Sequence, residues 1–241
     1  MKKTHIILEY IRLKRKESKA VKAMFEYVQE REFSRRLEPR TMVYVIIHGE
    51  AERTNHGKLS ERGRNQVMEL AHSRLVVGVQ KLYSSPQKEA LEATEILRKE
   101  FDCTTERMDC LTDLKLGFNW DDDEKLKVSI PSMWKDEDFK TEKGESLAEA
   151  RERIGECMNK IVAKHPGSSV GIVTHSIIAT LFFSLVTAAP LDINEWLMTG
   201  HASCATYEYA DAGWTLIMPS DNSFQSNPSS VADWLPDDIF D

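Results

Sequence analysis

Two histidines, His48 and His175, each follow a short apolar run, at residues 43–47 and 169–174. A buried strand that delivers a titratable side chain at its carboxyl end, with a glycine such as Gly49 freeing the next turn, is how open α/β sheets build ligand sites. A third run, residues 79–83, ends in Ser84-Ser85-Pro86, and Asp113 stands at the head of a long polar stretch. An imidazole can attack an electrophile or pass a proton, and a carboxylic acid can supply one. In a parallel sheet all strand carboxyl ends share one edge, so neighbouring strands would bring His48 and His175 into one cleft.

The elements that must position these groups alternate from Met42 onward. The pattern predicts a three-layer α/β sandwich, a mostly parallel central sheet with helices on both faces, preceded by an N-terminal helical extension. Ser60 is placed to cap a helix starting at Glu61, and Pro86 to open one that turns Ala90, Ile96 and Leu97 inward. A short strand is expected near 107–111, followed by an irregular acidic lid-like segment over 113–143. Ser146 and Glu149 form a capping-box pair for a helix reaching about Lys164. A very apolar helix over 177–187 and a hairpin over 202–209 and 213–218, turning at Asp211-Ala212, complete the body.

Of the 241 residues 41% are hydrophobic, enough for a real core in one domain of comfortable size with appendages, or in two small ones. The net charge of -7 is uneven: residues 1–40 hold 12 lysines and arginines against 6 glutamates, a net +6, leaving -13 for the rest. The expected division is a basic helical extension over 1–41, a catalytic-looking domain over 42–220 and an acidic flexible tail over 221–241. An acidic body argues against a nucleic-acid partner. The oppositely charged ends could pair within one chain or across a homodimer. Four scattered cysteines without a CxxC pair, and an initial apolar run broken by Glu9 and Arg12, lead to the expectation of reduced thiols and a cytoplasmic home. No stretch is long and apolar enough to span a membrane.

Several short motifs occur in order: His48-Gly49-Glu50; Leu59-Ser60-Glu61-Arg62-Gly63; Tyr83-Ser84-Ser85-Pro86; Leu111-Thr112-Asp113 with Gly117 and Trp120; Gly144-Glu145-Ser146-Leu147; Thr174-His175; Ala202-Ser203; and Gly213-Trp214. Together they make residues 42 to about 222 resemble the histidine phosphatase superfamily, the phosphoglycerate mutase-like proteins. The resemblance implies a phosphohistidine mechanism in which His48 attacks phosphorus, Asp113 protonates the leaving oxygen and His175 steadies the transferring group. It also implies substrate contacts from Gly49, Glu50, Ser84 and His201, with no cofactor and no metal.

Two arginines normally complete such pockets, one directly before the nucleophile and one on the helix after Ser-Ser-Pro, gripping the phosphoryl dianion. Here Ile47 and Glu89 stand at those positions. Losing one preorganised donor costs about 10²–10³ in rate, so losing two could cost on the order of 10⁴–10⁶. Enzymes accelerate monoester hydrolysis by up to about 10²¹, so a weakened site could still turn over. Arg53 is the best replacement cation, since a loop residue can swing inward, whereas Lys88 is offset by about 100° from Glu89 and should point elsewhere. Two imidazoles and two carboxylates without guanidinium neighbours also suit a divalent metal, although the spacing matches no metal motif. The expected function is hydrolysis of phosphomonoesters, on a small phosphorylated molecule or a phosphoprotein, with weak or altered activity; the alternative is an inactive pseudophosphatase that binds a partner.

Overall fold

The computed structural model describes residues 38–53 and 57–236. The chain divides into two units, Met1–Pro39 and Arg40–Asp241, and the second contains every element discussed here. The expected basic extension lies almost wholly outside the described residues.

Strand β1 (Thr41–Ile47) is central because almost every one of its side chains is buried. Its apolar residues alternate between two cores: Val43 and Val45 face one, Tyr44 and Ile46 the other. Burying each such side chain is worth about 1.5–3 kcal/mol, and a one-residue slip would exchange the two faces, so the register is tightly specified. Around β1 the sheet runs β3-β2-β4-β1-β5-β6, where β2 is Lys81–Ser84, β3 Thr104–Arg107, β4 Ser169–Thr174, β5 Cys204–Ala210 and β6 Gly213–Asp221. β1 to β4 pair in parallel, and the β5–β6 hairpin is antiparallel. The mostly parallel sheet with helices on both faces is the expected architecture.

One face carries α1 (Glu61–His72) and α2 (Lys88–Phe101); the other carries α3 (Asp123–Lys135), α4 (Leu147–Val162) and α5 (Ser176–Thr187). The caps read from the sequence are present. Ser60 accepts from Gly63 N–H, and Ser146 and Glu149 exchange bonds in a capping box.

Three local expectations need correction. The segment 113–143 is not irregular, because α3 forms within it despite Pro131, whose missing N–H and ring clash cost about 3 kcal/mol. Leu126, Ile130 and Met133 are fully buried by that helix, which more than offsets the loss. β3 starts three residues earlier than expected, on the exposed sequence Thr104–Arg107, with a 3₁₀ turn at Asp109–Leu111 after it. Cys110 and Cys157 are joined as a disulfide between that turn and α4, so only Cys103 and Cys204 keep the thiols expected of all four.

The segment after β6 is a fourth correction, since residues 225–234 are docked rather than free. Gln225 donates to His201 O at 2.7 Å, Arg62 reaches the carbonyls of Asn227 and Pro228, and Trp234 Nε1 donates to Ala51 O at 2.8 Å. A short helix α7 (Val231–Trp234), capped by Ser230, ends it; α6 (Ile193–Leu197) lies between α5 and β5. Among the described residues no helix is long and apolar enough to cross a membrane.

Candidate active site

The parallel strands end on one edge, and the residues that follow them converge there. His48 leaves β1 with its amide donating to Thr174 O at 3.1 Å and its carbonyl accepting from Ala202 N–H at 2.9 Å. Its ring Nδ1 lies 2.7 Å from Gly49 O. A carbonyl oxygen can only accept, so Nδ1 carries a proton, and in the neutral ring the lone pair is on Nε2.

His175 leaves β4 as the N-cap residue of α5 and is 1% exposed. Its Nε2 is 2.8 Å from Ser85 Oγ, which follows β2. Its Nδ1 is buried with no hydrogen-bond partner and faces two carboxyl groups, Glu89 Oε1 at 3.6 Å and Asp113 Oδ2 at 3.7 Å. The two histidine rings meet edge to face with centroids 4.9 Å apart. Burial, reinforced by His48 and Arg153, pushes the His175 pKa well below the ordinary imidazole value, so the ring is neutral.

Asp113 is fixed from both sides. Its amide donates to Gln87 Oε1 at 2.7 Å, and its Oδ1 accepts from Leu114 N–H at 2.8 Å. From α4, Arg153 donates to the carbonyls of Cys110 and Thr112 at 2.7 and 2.9 Å and pairs with Glu145. Burial raises the Asp113 carboxyl to about 7; the Leu114 amide opposes that rise and nearby Glu89 adds to it. A carboxylic acid that holds its proton near neutrality is suited to protonate a leaving group.

A cavity of about 410 Å³ opens over these groups, lined by His48, Glu89, Asp113, His201, Trp120 and Trp234 among others. Arg53 reaches it too, paired with Asp123 and stacked 5.2 Å over the Trp234 ring. Lys88, expected to point elsewhere, lines the rim, because an exposed side chain in the first turn of α2 can bend over the opening. His201 is nearly buried, its Nδ1 3.1 Å from Ser229 Oγ; burial, with His48 and Arg62 adding to it, drives its pKa down to about 3.

Of the residues singled out in the sequence, His48, Asp113, Arg53, Glu89 and His201 border the cavity and His175 packs directly behind it. Gly49, Glu50 and Ser84 do not. Gly49 lies against α1, where an added Cβ would come 2.2 Å from Gly63 O. Glu50 accepts from Ser60 and Arg62, tying the loop to the start of α1. Ser84 is buried and donates to Ser85 O, so its neighbour Ser85 makes the contact with the site. Ile47 lines a separate cavity of about 250 Å³, the alternation along β1 turning it away from His48.

The sequence reading missed Gln87, Arg153 and Trp234. Ser-Ser-Pro at a strand end was a signal for the first, through the turn it starts. Arg153 and Trp234 carry no local signal, since their contacts at the site are made across the chain.

The model of the histidine phosphatase superfamily (branch 1) matches residues 43–222. The chain belongs to this family. Within the histidine phosphatase superfamily, it is 24% identical over 190 residues to a protein of Cronobacter sakazakii described as a probable phosphoglycerate mutase, GpmB, covering 71% of this chain and 86% of that one. YhfR of Bacillus stearothermophilus has a similar fold, with a TM-score of 0.66 at 22% identity, covering 76% of this chain and 98% of that one. So does the phosphoserine phosphatase of Entamoeba histolytica, solved with 3-phosphoglyceric acid: TM-score 0.65, 17% identity, 76% and 98% covered.

Proposed function

We propose that this histidine phosphatase superfamily member hydrolyses phosphomonoesters of small molecules or phosphoproteins, slowly, through a phosphohistidine at His48. The carrying observation is the His48 Nδ1–Gly49 O hydrogen bond, which leaves the Nε2 lone pair for the cavity that Asp113 also borders. In the first step Nε2 bonds to phosphorus as the ester P–O bond breaks, and Asp113 gives its proton to the leaving oxygen. In the second, water attacks the phosphohistidine, Asp113 recovers a proton from it, and the P–N bond breaks to release inorganic phosphate.

The pocket opposes this chemistry as well as supporting it. Glu89 puts a carboxylate where a dianion must sit, and Arg53 is already engaged by Asp123. That arrangement favours a second reading, a pseudophosphatase whose cavity binds a partner or ligand without turnover. Purified protein assayed on an aryl phosphate beside His48→Ala separates the two. Release that disappears in His48→Ala supports hydrolysis, and equal rates for the two proteins leave the binding reading.

A further inference from the structure

We propose that His48 Nε2, His175 Nδ1 and a Glu89 carboxylate oxygen form a binding site for a first-row divalent cation of the zinc class at the base of the cavity. One donor atom from each of the three lies within 4.8 Å of the other two. A tetrahedral zinc ion with bonds of about 2.0–2.2 Å needs donor atoms roughly 3.4 Å apart. The His175–Glu89 edge, at 3.6 Å, is already there. His48 has to approach by about 1 Å, a small side-chain rotation for a half-buried residue.

The second observation is the orphaned nitrogen. Nδ1 of His175 is buried and faces Glu89 and Asp113 oxygens with no hydrogen bond to either; in the tautomer whose Nε2–H donates to the Ser85 hydroxyl, it carries a lone pair. A buried polar atom left without a partner is costly, and a cation held between Nδ1 and the Glu89 carboxylate removes the cost. Both imidazoles are also prepared as metal-binding histidines are. Each has its other ring nitrogen tied to an oxygen, Gly49 O for His48 and Ser85 Oγ for His175, which orients the ring and aims the remaining nitrogen; the carbonyl contact also fixes the His48 tautomer.

The donor set selects the class of ion. Two imidazoles with one carboxylate suit zinc and its first-row neighbours, whereas magnesium and calcium favour all-oxygen sites. The open side toward the cavity leaves room for water or a ligand as a further donor. Cation binding here does not depend on the phosphoester reading: it uses the same side chains, and a bound ion would occupy the His48 lone pair that the phosphoryl group needs.

The test titrates chelator-stripped full-length protein with zinc chloride, free of any phosphate ester, by calorimetry, with the zinc-edge X-ray absorption spectrum of the loaded protein. One equivalent is expected to bind, with two imidazole nitrogens and oxygen around the ion. Glu89→Gln should weaken binding at least 10-fold. Ser85→Ala, which keeps all three donors but frees the His175 ring, should weaken it about 10–100-fold. His72→Ala, remote and exposed, should leave it unchanged. Folding of each variant is checked by its thermal midpoint, which zinc should raise for wild type and raise less for Glu89→Gln at the same zinc concentration. No binding by wild type, equal binding by folded Glu89→Gln, or a spectrum without two imidazoles would overturn the proposal. Hydrolysis is measured separately on stripped protein, so failure of either proposal is read without the other.

Discussion

Glu89 Oε1 lies 3.6 Å from His175 Nδ1, a carboxylate set against an imidazole that burial keeps neutral. The pair is therefore not a charge-neutralising ion pair, and a phosphoryl group entering the cavity would meet a Glu89 carboxylate that His175 does not neutralise. Glu89→Arg should raise kcat/KM on an aryl phosphate by about 10²-fold, the value of one preorganised donor. An unchanged rate in the folded variant would mean that Glu89 does not oppose the substrate.

The companion change at Ile47 should behave differently. Ile47 is 2% exposed and faces the second cavity, away from His48. Ile47→Arg buries a guanidinium among Val45, Phe183 and Tyr207, and should cost about 3 kcal/mol or more without raising activity. Urea unfolding measures the cost; a rise in turnover would show that the arginine reaches the nucleophile.

Arg153 binds Asp113's segment to α4 through two carbonyls and Glu145, with side-chain exposures of only 16% and 11% for the ion pair. Removing one partner strands the other charge. Arg153→Met should destabilise the protein by about 3–5 kcal/mol, against little change for an exposed pair such as Lys160–Glu156. Equal midpoint shifts for Arg153→Met and Lys160→Met in denaturant would remove Arg153 from this role.

His201 supplies a pH signature. Its folded pKa is about 3, while an unfolded histidine titrates near 6.5. The unfolded chain binds the proton first as pH falls, so this contribution is complete above about 6.5 and declines toward 3. At pH 5 His201 alone should cost about 2 kcal/mol relative to pH 7, and His175 acts in the same direction. His201→Gln should start less stable but lose less between pH 7 and pH 5; parallel curves would show that His201 is not buried as described.

Trp234 closes one side of the cavity by its bond to Ala51 O, its contact with Arg53 and its tilt against Trp120 at 6.3 Å. Trp234→Ala should cost about 3 kcal/mol, at the low end for tryptophan because the ring is only half buried. It should also make Trp120 more accessible to an aqueous fluorescence quencher. Unaltered quenching would mean that this segment does not cover the site.

Where residues announce themselves locally, the sequence was readable. The apolar runs ending in His48 and His175, the hydroxyl caps Ser60 and Ser146, and the turn at Asp211-Ala212 all follow from periodicity and capping chemistry. What stayed hidden depends on contacts made at long range. α3 carries a proline that local rules penalise, and only the core into which Leu126 and Met133 fit outweighs that penalty. The segment 225–234 reads as a polar tail because its partners, Arg62, Ala51 and His201, are distant in sequence. The exchange of Ser84 for Ser85 at the site is a matter of which neighbour's side chain turns toward His175.

Gly49 and Gly63 approach so closely that a Cβ on Gly63 would sit 2.0 Å from Glu50 O. This contact welds the chain just beyond His48 to the first turn of α1, leaving no side chain between them to act as a cushion. The backbone that carries His48 therefore inherits the stiffness of a whole helix: adaptation to different ligands must come from rotation of the His48 ring and from the cavity's other walls, not from movement of the strand end.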